Sequence, residues 1–330
     1  MHAAANSLRG GVSPRGALLR GQSIIEYVLI IAVIGLVIVF AGPGVAGAIR
    51  NQFNLVGNTV NSGTTGGTDA GGASGGGAAG ADSATVQAAI AKDAKDWTLA
   101  EQKAVAEDIA AKGEASPAYA KAKAAMDAGT KFSVKLTNGQ TLEYRIIGIN
   151  HDDLADGSGK AGLTFRTMNE AIDEYPMNAT GTNAGGWEKS ELRQEMNSGE
   201  IWNLMPSDFQ SKVKTVRKLT NNVSGTDKNA AVTATTDKLF LLSYSEIVPT
   251  SYWASDYPWT SSEGTQYEAF KDKVTNNSSD NDWLAIVGFW WERSVVPGSS
   301  ENFFFVDGCG DPSINTNASS SRIICPAWCF

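Results

Sequence analysis

Hydrophobic and polar positions divide the chain into stretches of different period. Residues 1–20 are polar and basic, and Tyr27–Ile49 then runs without a charged side chain. Residues 57–82 are mostly Gly, Ala, Thr and Ser, a composition that reads as a flexible linker because it cannot bury enough apolar surface to offset its entropy. At 5–6 Å × √n, such a linker spans roughly 25–30 Å. From residue 83 an Ala/Lys/Glu-rich pattern predicts helices. Thr98 and Glu101 form a capping-box pattern ahead of a run that stops at Gly113, and Pro117 opens a second helix ending near Gly129. These helices are poor in large apolar residues, which favours a spacer, with a small three-helix module as the alternative.

Alternation begins at Lys131. Phe132–Leu136, the Asn138-Gly139 turn and Thr141–Asn150 predict a hairpin, with Asn-Gly supplying positive φ angles. Helices are expected over Trp187–Asn197 and over Ser207–Arg217, the latter capped by Ser207. Strands are expected over Lys238–Tyr244, Trp283–Trp291, Asn302–Val306 and Ile323–Cys329. A hairpin, then helices, then strands is an α+β order and not a βαβ repeat. The expected layout is 1–21 leader, 22–56 hydrophobic helix, 57–82 linker, 83–129 helical spacer and 130–330 globular domain. Eight of the nine tryptophans fall after residue 180, which places the core in the last of these.

The uncharged run changes the picture of location. Its 23 residues span roughly 34 Å as a helix, enough to cross a bilayer and longer than a cleaved secretory signal requires. Arg9, Arg15 and Arg20 precede it, which puts the N-terminus in the cytoplasm. Glu26 is the informative residue, since an acid at the mouth of an apolar helix is costly in lipid.

The residues Arg20-Gly21-Gln22-Ser23-Ile24-Ile25-Glu26-Tyr27 resemble the prepilin signature of the Flp (Tad) branch of type IV pilins. The resemblance covers about residues 9–56. It implies a prepilin peptidase cutting between Gly21 and Gln22, and an assembly role for Glu26 and Tyr27. Glu26 would face the N-terminal amine of a neighbouring subunit, where two charges unfavourable alone in lipid neutralise each other. The partners implied are other pilin subunits, the peptidase and the membrane. The location implied is the inner membrane before assembly, then a filament or the cell surface of a bacterium. Flp pilins are little more than this helix, whereas this chain carries a large extension.

The extension is acidic. Loss of residues 1–21, with their three arginines and no acid, takes the formal charge from −8 to −11. Nucleic acid is therefore an unsuitable partner. A second resemblance rests on Trp187-Glu-Lys-Ser190, Leu239-Phe-Leu-Leu-Ser243, Trp291-Glu-Arg-Ser294 and Pro326-Ala327-Trp328. Together these resemble a bacterial surface-domain family of unknown function, similar to the C-type-lectin-like and formylglycine-generating-enzyme folds. This implies a module that binds a surface, glycan or protein ligand. Relatives carry an Arg-Pro pair near the end, where Cys325 precedes Pro326 here.

Candidate chemistry is sparse. His151 is the single histidine after the leader, which argues against nucleophile–histidine–acid catalysis and against a zinc site. No cofactor is expected except calcium, for which Asp311, Ser313, Asn315 and Asn317 place oxygens at every second position; ordinary turn residues give the same pattern. Trp290, Trp291, Glu292 and Arg293 read either as a ligand platform or as core with an Arg–carboxylate brace. Cys325 and Cys329, about 13 Å apart on one strand, cannot bond each other, so Cys309 bonds one of them or none is bonded. An enzyme remains the least favoured class.

Overall fold

A computed structural model describes residues 83–274 and 281–330. The pilin-type segment, with Gly21, Gln22, Glu26 and Tyr27, and the Gly-rich segment lie outside the described residues. The described part is mixed α+β with several antiparallel sheets. Among the described residues no helix is long and apolar enough to cross a membrane.

Three helices come first: α1 (Ala84–Ile90), α2 (Leu99–Lys112) and α3 (Tyr119–Asp127). The capping box opens α2 as expected: Thr98 N donates to Glu101 Oε2 (2.7 Å) and Glu101 N donates to Thr98 Oγ1 (3.3 Å). The spacer reading is corrected, because Val86, Trp97, Val105, Ile109 and Met126 belong to the same buried cluster as the sheets. Trp97 stacks on Phe132 at 6.2 Å, and Tyr144 Oη donates to Gln102 Oε1 (3.0 Å). Gly162 fixes how closely α2 approaches the sheet, since a Cβ there would lie 1.8 Å from the Ala106 carbonyl oxygen. Small Ala side chains make α2 a poor stalk and a good cover for a flat aromatic surface.

The hairpin forms from β1 (Phe132–Lys135) and β2 (Thr141–Ile149). Its turn has one positive φ, at Gly139 (88°), and not the two expected of Asn-Gly. Asn138 instead accepts from Gln140 N through Oδ1 (3.0 Å). β3 (Leu163–Thr167) pairs antiparallel with β2, and the last strand, β9 (Ala327–Cys329), returns beside β3, giving the order β1-β2-β3-β9.

Between these lie α4 (Gly186–Lys189), α5 (Glu191–Asn197), α6 (Glu200–Leu204) and α7 (Ser207–Gln210). The helix expected over Trp187–Asn197 is broken at Ser190, which is extended and caps α5 by accepting from Arg193 N (3.2 Å). The helix expected over Ser207–Arg217 stops at Gln210, and Pro206, not Ser207, stands at its N-cap. Val216 instead opens β4 (Val216–Asn221), which pairs antiparallel with β5 (Val232–Asp237), a strand the alternation did not indicate.

Past β5 the expected strand Lys238–Tyr244 makes one bridge, Phe240 with Ala327, before the turn of helix α8 (Tyr244–Ile247). The third sheet is β6 (Trp290–Val295), β7 (Asn302–Val306) and β8 (Ile314–Asn317). Trp283–Phe289 lies outside β6, and the expected strand from Ile323 shortens to β9 (Ala327–Cys329). Phe132, Tyr144, Phe165, Phe209, Trp328 and Phe330 pack ring against ring between sheet and helices, with centroids 4.9–6.0 Å apart.

Candidate functional site

A cleft of about 250 Å³ opens beside β4, with His151, Asp153, Lys160 and Arg217 among its lining and Asp152, Lys218, Glu246 and Glu263 at its base. Its position follows from the end of β2. Asn150 adopts a positive φ (51°) and is tied to Gly162 O through its N–H and to Ile109 O through its side chain. That turn separates two neighbours in sequence. Asp152 enters the interior, while His151 stacks on Tyr267 (centroids 4.0 Å apart) with Nδ1 3.1 Å from Glu268 Oε2.

The base is a chain of alternating charges. Lys218 Nζ lies 2.6 Å from Asp152 Oδ1, 2.5 Å from Glu246 Oε1 and 3.0 Å from Tyr267 Oη, one acceptor for each of its three protons. Asp152 also accepts from Thr164 Oγ1 (2.6 Å). Glu246 Oε2 lies 2.5 Å from Arg293 Nη1, and that guanidinium donates further to Thr220 Oγ1 and to the carbonyls of Leu241, Leu219 and Glu263. All four charged groups are buried, and two cations balance two anions. Such a chain survives burial only when each charge is paired and its remaining polar atoms are bonded.

The pKa directions follow from that balance. Burial works to raise the Asp152 carboxyl, yet Lys218 and His151 hold it well below the usual range. Burial likewise opposes Glu246, which Arg293 and Lys218 hold down, and it opposes Lys218, whose pKa Asp152 and Glu246 nevertheless raise. Glu263 stands apart. Burial pushes it up to about 7, although Ser294 Oγ and Asn221 N both donate to it. His151 lines this cleft, and its partner Glu268 lines a groove of about 470 Å³ together with Tyr119, Lys123, Asp127 and Lys271.

Of the site residues singled out from sequence, Arg293 joins this chain of charges, and the other described ones fall elsewhere. Trp290, Trp291, Glu292 and Arg293 are all buried in β6, so the platform reading gives way to core with an Arg–carboxylate brace. Glu292 is the exception within that core: among the described residues both its oxygens lack a hydrogen-bond partner, and burial, then Glu263 and Asp311, raise its pKa well above the ordinary value. Asp311 Oδ1 accepts from the N–H and hydroxyl of Ser313, Asn315 Oδ1 accepts from Asn302 Nδ2, and Asn317 Oδ1 accepts from the N–H and hydroxyl of Ser319. The oxygens proposed for calcium are thus engaged in turn and cross-strand bonds. Among the described residues no group of three or more His, Cys, Asp or Glu is placed to hold a metal ion.

No disulfide joins the cysteines. Cys309 is exposed, Cys325 is buried near Arg166, and Cys329 is buried with Sγ 3.4 Å from Thr164 Oγ1. Burial pushes the Cys325 thiol up to about 12 and raises that of Cys329, so neither is a ready thiolate. The sequence reading named Arg293 and a carboxylate brace but not the partners that complete the chain. A further local signal was Ser243 three residues before Glu246, and Glu246 Oε2 does accept from Ser243 N (3.0 Å).

Residues 159–330 match the family model for a domain of unknown function, DUF6273. The match starts between β2 and β3, so α1–α3 and the β1–β2 hairpin precede it although they complete the same sheet and core. No curated protein and no solved structure matches the chain.

Proposed function

Because the chain belongs to the family defined by this DUF6273 domain, whose description states no activity, we propose a function from its residues: a Flp/Tad-like pilin or minor pilin subunit displaying an extracellular adhesion domain. The observation that carries it is the spacing of Gly21 and Glu26 before an uncharged run of 23 residues that opens at Tyr27. Peptidase cleavage before Gln22 would leave an N-terminal amine to meet Glu26 of a neighbour, and the helix would pass from membrane to filament. The size of residues 83–330 supports a minor or displayed subunit, since such a domain far exceeds what helical polymerisation requires.

For the outer domain the reading is a C-type-lectin-like binding module. Its support is the mixed α+β architecture and the position of Trp187, Trp291 and Trp328, from three of the motifs that carry that resemblance, in the buried core. The cleft beside β4 supports binding over catalysis, because Asp152, Lys218 and Glu246 at its base are engaged with one another. A polar surface, glycan or protein ligand suits its charged rim of His151, Asp153, Lys160 and Arg217.

N-terminal sequencing and intact mass of protein taken from its native membrane or filaments test the reading. A chain starting at Gln22 is expected. An intact Met1 or a cut beyond residue 40 would sink the pilin assignment and leave a tethered or secreted binding protein.

A further inference from the structure

On the face of the first sheet opposite the aromatic cluster, Arg145 on β2 and Arg166 on β3 are direct Cα partners, so both side chains leave the same face side by side. They are 6% and 0% exposed. Like charges directly opposite on a sheet repel, and each is desolvated here. No hydrogen bond or ion pair among the described residues joins a carboxylate to either guanidinium. Arg145 Nη2 donates to the carbonyl of Trp283, and Arg166 Nη2 donates to that of Leu284 (3.2 Å). Among the described residues Arg145 Nε and Arg166 Nε and Nη1 are buried with no oxygen or nitrogen acceptor, and the one polar side chain beside the Arg166 guanidinium is the buried Cys325 thiol, a weak acceptor.

Stacking does not satisfy those atoms. Arg145 Cζ lies 4.5 Å from the Trp283 ring centroid and Arg166 Cζ lies 4.0 Å from that of Trp290. Stacking of this kind engages the face of a guanidinium, whereas its N–H bonds lie in the plane and point past the ring. Lys273 Nζ adds a third cation, 3.2 Å from the Trp283 centroid. Burial and the neighbouring Arg166 push Arg145 down to about 9. The next residue across the sheet from Arg166 is Ala327, whose methyl group neither fills nor neutralises the row.

We propose that Arg145 and Arg166 form a buried receptor for an oxyanion, a phosphate, sulfate or carboxylate group held by in-plane guanidinium N–H donors and backed by Trp283 and Trp290. The planar forks of arginine suit paired acceptor oxygens, and the low surrounding polarity strengthens each bond. Trp283 is only partly buried, which leaves the Arg145 side of the pair nearest to solvent. This site is separate from the cleft beside β4 and does not depend on the pilin assignment.

Calorimetric titration of the full chain with sodium phosphate, sulfate and acetate, each at constant ionic strength with chloride as balancing anion, tests it. Saturable binding of at least one anion is expected, weakened about tenfold or more in Arg145→Gln and unchanged in the surface control Lys135→Gln. Binding of phosphate or sulfate alone identifies a tetrahedral group, and binding of acetate as well identifies a carboxylate. Should Arg145→Gln fail to fold, Arg145→Lys keeps the charge, removes the fork and is expected to weaken binding comparably. No saturable binding of any of the three, or equal binding by wild type and an Arg145 variant, overturns the proposal.

Discussion

Two groups of buried cations occupy one core and are treated oppositely. Lys218 sits between Asp152 and Glu246, and Arg293 closes the chain beyond Glu246, with their donors matched to acceptors, whereas Arg145 and Arg166 face each other with three donor atoms unmet among the described residues. The first arrangement is complete in itself: its charges cancel, and it holds β4, α8 and β6 together. The second is complete only if something is added. Buried charge alone therefore says little about function, while buried charge lacking its counterpart points to where a ligand belongs. Glu292 is the acidic mirror of the second group, and there burial, with Glu263 and Asp311 nearby, raises the pKa and so favours the neutral carboxyl.

Breaking the balanced group gives the largest expected effect. Lys218→Met leaves Asp152 and Glu246 buried with one counter-charge between them and is expected to lose about 3–5 kcal/mol in urea unfolding. A loss below about 1 kcal/mol would mean that the chain is not charge-coupled as drawn.

The pH dependence sharpens the comparison next. Asp152 and Glu246 have folded pKa values below their unfolded ones, so their contribution is present above roughly pH 4 and is lost as pH falls. Glu263 and Glu292 are raised, so theirs is present below about pH 4 and is lost as pH rises, for Glu263 through about 7. Thermal midpoints should thus peak in mildly acidic buffer and decline toward pH 8. Glu292→Gln should flatten the alkaline decline by up to about 1.4 kcal/mol per pH unit. A variant whose alkaline decline matches that of wild type would show that Glu292 ionises without cost.

The smallest effect belongs to one bond within the balanced group. Thr164→Val removes the hydroxyl donated to Asp152 Oδ2 and keeps the shape, at a cost of about 1.5–3 kcal/mol in the same unfolding measurement. It should also shift the acid limb of the pH profile upward, because Asp152 then ionises less readily.

Much of the local structure was legible along the chain. The capping box of α2, the hairpin of β1 and β2 and the strand Asn302–Val306 stand where alternation and turn residues place them. Errors came where a short segment had two outlets. Ser207–Arg217 carries a helical pattern, but Lys214 N bonds to Cys329 O and β4 pairs with β5, so sheet bonds claim the second half. Lys238–Tyr244 has the apolar run of a strand, yet a single bridge to Ala327 satisfies it before α8. The Ala-rich helices looked too weakly apolar to join a core, and flat packing against aromatic rings overrode that.

Sequence by itself determined the class of the described domain, its principal turns and the uncharged run that motivates the pilin proposal, since these depend on residues within a few positions of one another. Tertiary structure alone decided which charges meet. Asp152, Lys218, Glu246 and Arg293 are scattered over some 140 residues, and Arg145 opposes Arg166 only because the β2–β3 register places them so. Propensity and periodicity act over a turn or a strand, whereas charge pairing is set by how separate elements are juxtaposed. The balanced cluster and the unbalanced one look alike until the chain is folded.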